Sequence, residues 1–180
     1  MDKEEITHMI GRLRSLSESS RILLRNHLGE YFDMQKSNIR MLMLYVAPEN
    51  APSMKTDPVF WQNLFFVSGV YCRIPTGQHS DSPEKLEKKL AEMTVRKFNE
   101  QDAADNRIAD ILTLRTGKRG TLYPALAQLI RGIDADIDCV SLFNDLQYWE
   151  TDPGIQEKWA RAYINVLKKE NKNEFNPEHC

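Results

Sequence analysis

Three groups of side chains in this sequence are of a type that could do chemistry. Asp134, Asp136 and Asp138 alternate along a short stretch. Spaced carboxylates begin a calcium loop, but that loop also needs glycine at its sixth position and glutamate at its twelfth. Counted from Asp134 those positions hold Cys139 and Asp145, so the acids read as an interhelical loop that caps the next helix. Gly117-Lys118 resembles the end of a phosphate loop, which requires an earlier glycine and a following Ser or Thr. Leu112 and Arg119 stand at those places. His8, His27, His79 and His179 include no two at ligand spacing, and Cys72, Cys139 and Cys180 form no close pair. The cysteines read as free thiols of a reducing compartment. These residues give no catalytic group, no metal site and no cofactor.

The remaining candidates are basic. Arg21 and Arg25 lie four apart on one helix and so are expected on one face, with Lys36 and Arg40 flanking it. A second group, Arg107, Arg115, Lys118 and Arg119, has only Asp110 among it. Gly117 and Gly120 bracket the Lys118-Arg119 pair, which lets backbone and side chains approach a phosphate closely. Arginine can clamp a phosphate with two hydrogen bonds, whereas lysine offers a point charge. The whole chain carries 24 basic and 26 acidic residues, a net charge of −2. That total argues against a strong nucleic-acid binder. The acids nevertheless fall downstream, at Asp134, Asp136, Asp138 and Asp145, so one face can be positive on a near-neutral protein. Trp61, Trp149 and Trp159 could stack on bases, but each lies at apolar helical spacing and is expected in the core.

The elements that carry these residues all show helical spacing, and none shows the alternation of a strand. Helices are expected over 2–16, then after a break or cap at Ser17 to Ser20 as far as Gly29, and over 39–47, 59–73, 84–98, 106–114, 122–133, 139–149 and 154–169. The second should bury Ile22, Leu23 and Leu28. Asp57-Pro58, Ser82-Pro83 and Asp152-Pro153 read as a cap followed by a first-turn proline. The 59–73 helix is the most apolar and should be central. Residues 99–105 are polar and read as a boundary between lobes 1–100 and 101–180, with 170–180 a frayed tail. The fold class is all-α, a two-lobed bundle of eight to nine helices. No apolar run is long enough for a membrane span, and the acidic start is not a secretory signal, so the cytoplasm is the expected location.

The stretch Asp138-Cys-Val-Ser-Leu-Phe-Asn-Asp-Leu-Gln-Tyr-Trp149, followed by Gln156-Glu-Lys-Trp-Ala-Arg-Ala-Tyr163, resembles the CasB family. That family is the small subunit of Cascade, the type I-E CRISPR surveillance complex. Its pattern is D-x-x-x-L-x-x-D-L-x-x-W followed by W-A-R-x-Y. Arg107-Ile-x-x-Ile-Leu and Leu16 through Arg25 are similar to the family's arginine-led helix and its basic second helix. The resemblance implies a two-lobed helical fold and an antiviral role without catalysis. It implies as partners the backbone and large subunits, guide RNA, target DNA and a second copy of the chain. It also implies a basic surface that holds nucleic acid by its phosphates, with the guide RNA reading sequence. Arg25 and Arg107 fit that surface best, followed by Arg21, Arg115, Lys118 and Arg119. A helical protein–protein adaptor is the alternative, motivated by the near-neutral charge and the charged 84–98 helix.

Overall fold

The computed structural model describes residues 2–97, 101–116 and 121–174. Among these it contains nine α-helices: α1 (Lys3–Arg12), α2 (Glu18–Asn26), α3 (Ser37–Val46), α4 (Pro58–Tyr71), α5 (Leu86–Lys97), α6 (Gln101–Thr113), α7 (Leu122–Ile130), α8 (Cys139–Tyr148) and α9 (Pro153–Glu174). No strand occurs among the described residues, only an isolated parallel bridge between Glu84 and Ile137.

The apolar α4 is the centre. Every residue from Phe60 to Tyr71 is buried, as expected of a helix that is hydrophobic on all sides. Asp57 caps it, its Oδ1 accepting from the Phe60 N–H at 2.9 Å, and Pro58 occupies the first helical position, where a missing N–H costs nothing. Helices α2, α3, α7 and α8 pack on α4, and α1 packs on α3 and α8. At the far side α5 lies along α9, with α6 against both. The polar residues of α4 are tied to their neighbours. Gln62 accepts from the Phe32 N–H (2.7 Å) and donates to the Glu30 carbonyl (3.1 Å). Asn63 accepts from the Tyr123 hydroxyl (2.7 Å) and donates to Gln147 (3.2 Å). These four bonds fix how α2's exit, α7 and α8 sit around α4.

Gly29 leaves α2 with φ +91°, and a Cβ there would lie 2.5 Å from the Ala127 Cβ of α7. Both the left-handed backbone and the close approach demand glycine. Gly29→Ala is therefore expected to destabilise the chain by about 2 kcal/mol, read as a lower urea midpoint at unchanged m. A midpoint within error of wild type would refute the close approach of Gly29 to α7.

Several sequence expectations need correction. The helix expected from 106 begins at Gln101; Ala104 is buried, and Asp105 accepts from the Tyr163 hydroxyl at 2.6 Å. Burial and that bond raise the Tyr163 pKa. Ser82-Pro83 does not start a helix. Glu84 is instead held between the Asp136 carbonyl and the Asp138 N–H, each at 2.8 Å, and α5 begins at Leu86. The supposed tail from 170 continues α9 to Glu174. In the first two cases a contact distant in sequence overrides a local signal.

Candidate nucleic-acid interface

Arg21 is not a surface residue. It is 2% exposed, and the buried face of α2 is Arg21 and Leu24, continued by Leu28 as expected, with Ile22 and Leu23 turned away from full burial. Ile22 is left 38% exposed. The guanidinium of Arg21 donates to the carbonyls of Leu13 (3.2 Å) and Ile74 (2.6 Å), and its Nη2 lies 3.4 Å from His79 Nε2. It also lies 5.5 Å from the centre of the Tyr71 ring, close enough for a cation–π attraction. A fork of five donors can satisfy itself inside a protein where a lysine cannot. That is why a helix rotated to bury Arg21 is stable here.

The rest of this cluster joins distant segments. His79 stacks on Tyr71 (4.0 Å between centroids, 13°) and its Nδ1 lies 3.2 Å from Asp136. The same carboxylate oxygen accepts from the Ser80 N–H at 2.9 Å. Asp136 thus anchors the 79–84 loop, and Asp138 caps α8 through the Ser141 N–H (2.9 Å). No group of three metal-ligating side chains gathers among the described residues. Cys72 and Cys139 are buried and unbonded to each other. Burial pushes the Cys72 thiol up to about 11 and raises Cys139 as well, so neither is a thiolate at neutral pH.

Arg25, one turn from Arg21, is exposed on α2, and Arg40 is exposed on α3. Arg107 is half-buried on α6, and Arg115 is exposed just past its end. None of the four makes an ion pair with a described residue, whereas Lys88, Lys89, Lys158 and Arg161 all do. Lys118 and Arg119 lie outside the described residues. Arg25 belongs to a helix packed on α4 and α3, and Arg107 to one packed on α5, α7 and α9. The two basic groups therefore sit on different parts of the helical framework. Near Arg115, Glu150 accepts from both the N–H and the hydroxyl of Thr116 at 2.6 Å, which fixes the chain leaving α6.

Sequence reasoning missed other cations with assigned partners. Arg73 donates to the Ile133 carbonyl (2.6 Å) and Arg131 to that of Leu28 (3.1 Å). Burial lowers the pKa of Arg73. Their acceptors lie 60 and 103 residues away, so no local pattern could reveal them.

The aspartate and tryptophan pattern of α8 and α9 is explained by packing. Trp149 and Trp159 meet edge to face at 5.1 Å, a favoured aromatic geometry. Trp149 Nε1 donates to the Leu114 carbonyl at 2.9 Å. Asp145, 2% exposed, accepts from Trp159 Nε1 (2.8 Å) and Lys158 Nζ (2.6 Å), and Lys158 also reaches Glu87 at 3.5 Å. The W-A-R-x-Y helix is thereby pinned to α8, α5 and, through Tyr163, α6. All three tryptophans are buried and none is presented for base stacking.

The fold and surface define a class: an all-α protein whose exposed arginines are carried on a framework locked by α8 and α9. The chain belongs to the CRISPR-associated protein Cse2 family, whose model matches residues 22–163. Its fold is similar to CasB from Thermus thermophilus, at 17% identity and a TM-score of 0.63, with 91% of this chain and 97% of that one covered. It is likewise similar to a second solved structure from Thermus thermophilus, a CRISPR-associated protein of the Cse2 family, at 20% identity, a TM-score of 0.64 and the same coverage. These two likenesses are of fold. No curated protein matches the chain. Among the described residues no helix is long and apolar enough to cross a membrane.

Proposed function

We propose that this chain is the non-catalytic small subunit of a type I-E Cascade effector, acting in the cytoplasm in antiviral defence. The observation that carries the reading is the family match across residues 22–163. In this role the chain sits beside the backbone and large subunits, with a second copy of itself, and steadies guide RNA and target DNA, including the displaced strand. Arg25, Arg107 and Arg115 supply phosphate contacts, joined by Lys118 and Arg119. The absence of ion pairs to described residues at Arg25, Arg107 and Arg115 supports this, since a cation already neutralised gains less from a phosphate. Arg21 is withdrawn from the set by its burial.

Fluorescence anisotropy with single-stranded DNA, duplex DNA and RNA over a salt series tests the reading. Arg25→Glu and Arg107→Glu are expected to weaken binding about evenly across sequences. Each lost contact should reduce the slope of log K against log salt by about 0.7 on single strands and about 0.9 on duplex. Arg25→Glu should leave the melting temperature within about 1–2 °C, because an exposed substitution of this kind costs within about 0.5 kcal/mol, and a melt of the half-buried Arg107→Glu variant separates lost binding from lost stability. Binding insensitive to salt and to both substitutions would sink the proposal for the free chain. The assembled complex lacking any dependence on them would sink it altogether.

A further inference from the structure

A trough of mixed polarity runs between α3 and the loop that follows it, with a volume of about 840 Å³. Met34, Leu44, Met54 and Pro52 form its apolar lining, while Arg12, Arg40 and Lys55 stand around it against a single acid, Glu49. Leu44 is 47% exposed, Met34 43%, and the adjoining Met41 and Tyr45 are 65% and 52% exposed. Met41, Leu44 and Tyr45 fall at i, i+3 and i+4, so they form one stripe along α3. Four of the seven exposed large hydrophobics among the described residues thus lie on this helix and the segment entering it. Exposed apolar residues scattered singly need no account, but a contiguous patch rimmed by charge marks an interaction site.

The trough is built rather than incidental. Arg12 donates to the carbonyls of Ala47 and Tyr45, closing the end of α3. Trp61 Nε1 donates to the Pro52 carbonyl at 2.8 Å, and Asn50 donates to Glu5 at 2.9 Å. Ser15 and the Tyr45 hydroxyl lie 2.9 Å apart, which orients the Tyr45 ring. These contacts hold both walls in place, and the methionines on them can adapt to a partner's side chains. A second, apolar hollow of about 390 Å³ shares Met34, Gln35 and Met54 and continues the trough towards Phe32 and Val59. Its own acid, Asp33, accepts from the Gln35 N–H at 2.9 Å.

We propose that this trough receives an amphipathic protein helix whose flanks are acidic. The apolar floor matches a stripe of leucine-like anchors at helical spacing. Arg40 and Lys55, which make no ion pair with a described residue, match glutamates or aspartates on the flanks of that stripe. A phosphate backbone would meet Arg40 and Lys55 but leave Met34 and Leu44 and the adjoining Met41 and Tyr45 uncovered. This protein-binding role is separate from the phosphate contacts of Arg25 and Arg107, and neither stands or falls with the other.

The test uses the full chain and labelled synthetic helices of four turns. One carries leucine at i, i+3, i+4 and i+7 with glutamate elsewhere; a second has the same composition scrambled; a third has lysine for glutamate. Anisotropy is expected to show binding of the first at least tenfold tighter than of the other two. Leu44→Glu should weaken it about tenfold and Arg40→Glu about threefold, while Ile164→Glu, an exposed apolar position on α9, leaves it unchanged. Circular dichroism melts confirm that the variants fold. Equal affinity for the scrambled helix, or preference for the lysine helix, would overturn the proposal. So would self-association of the free chain that Leu44→Glu abolishes, since a second copy would then be the occupant.

Discussion

Arg21→Met is expected to lower the melting temperature by roughly 10 °C, far more than any change to an exposed arginine. The guanidinium is 2% exposed and supplies the donors for the Leu13 and Ile74 carbonyls. Removing it leaves the Ile74 carbonyl without a partner and the Leu13 carbonyl with only the Leu16 N–H at 3.4 Å, and it removes the group facing His79 Nε2. A buried acceptor left unsatisfied costs about 1–3 kcal/mol, and a charged donor contributes towards the upper end. The sum is about 3–5 kcal/mol, and at this chain length each kcal/mol moves the midpoint by about 2–4 °C. Methionine fills much of the volume, so the loss isolates hydrogen bonding from cavity formation. The ion pair with Glu18, at 4.0 Å and with Glu18 two-thirds exposed, adds little. Arg21→Lys should recover only part of the loss, because an ammonium cannot span two carbonyls as a planar fork does. Arg25→Glu in the same experiment should leave the melt within about 1–2 °C. A normal melt for Arg21→Met, with nucleic-acid binding lost, would restore Arg21 to the surface set and contradict the rotation of α2.

The second large effect falls on the family-pattern aspartate in α8. Asp145→Ala strands two donors at once: Trp159 Nε1, in a residue 4% exposed, and Lys158 Nζ. The indole cannot reach water without disturbing its edge-to-face contact with Trp149. We expect a loss of about 3 kcal/mol, measured as a shift of the urea midpoint. The Lys158 share is the smaller, since its side chain is 36% exposed and can turn to solvent or to Glu87. Lys158→Met should accordingly cost only about 1 kcal/mol. Asp145→Asn retains an oxygen for the indole and should fall between. Because α9 packs along α5 and on α6, the Asp145→Ala chain should also expose the tryptophans, shifting their emission to the red before the global transition. An Asp145→Ala midpoint within about 0.5 kcal/mol of wild type would mean that the α8–α9 junction is held by apolar packing alone.

Much of the framework was legible from local signals. Asp57-Pro58 opens α4 and Asp152-Pro153 opens α9, because a capping carboxylate and a pre-set proline φ act within one turn. The all-apolar 59–73 stretch is central, and the three tryptophans are buried. Local signals misled where a distant partner intervened. Ser82-Pro83 carries the same kind of cap as Asp57-Pro58, yet Glu84 is drawn into a bridge with residues 136–138. Gln101 to Asp105 looks like a linker, but Ala104 and Asp105 meet Tyr163, and the segment is helix.

The basic site shows the same division more sharply. Spacing alone places Arg21 and Arg25 on one side of a helix, and it cannot distinguish a solvated arginine from one whose acceptors come from Leu13 and Ile74. The trough along α3 was equally hidden. Arg12, Arg40 and Lys55 are scattered in sequence, and only the fold sets them around Leu44 and Met34.

The amino-acid sequence by itself therefore determined the helical class, the order of the helices, the central place of α4 and the family signature of α8 and α9. Those follow from interactions within about one turn, or from apolar periodicity, which any fold of this chain must bury. Only the tertiary structure decided which face of α2 turns inward, which arginines stay exposed without an ion pair to a described residue, and where a trough along α3 stays uncovered. The physical reason is that burial of a charge depends on whether acceptors converge on it, and convergence is a property of segments brought together from across the chain.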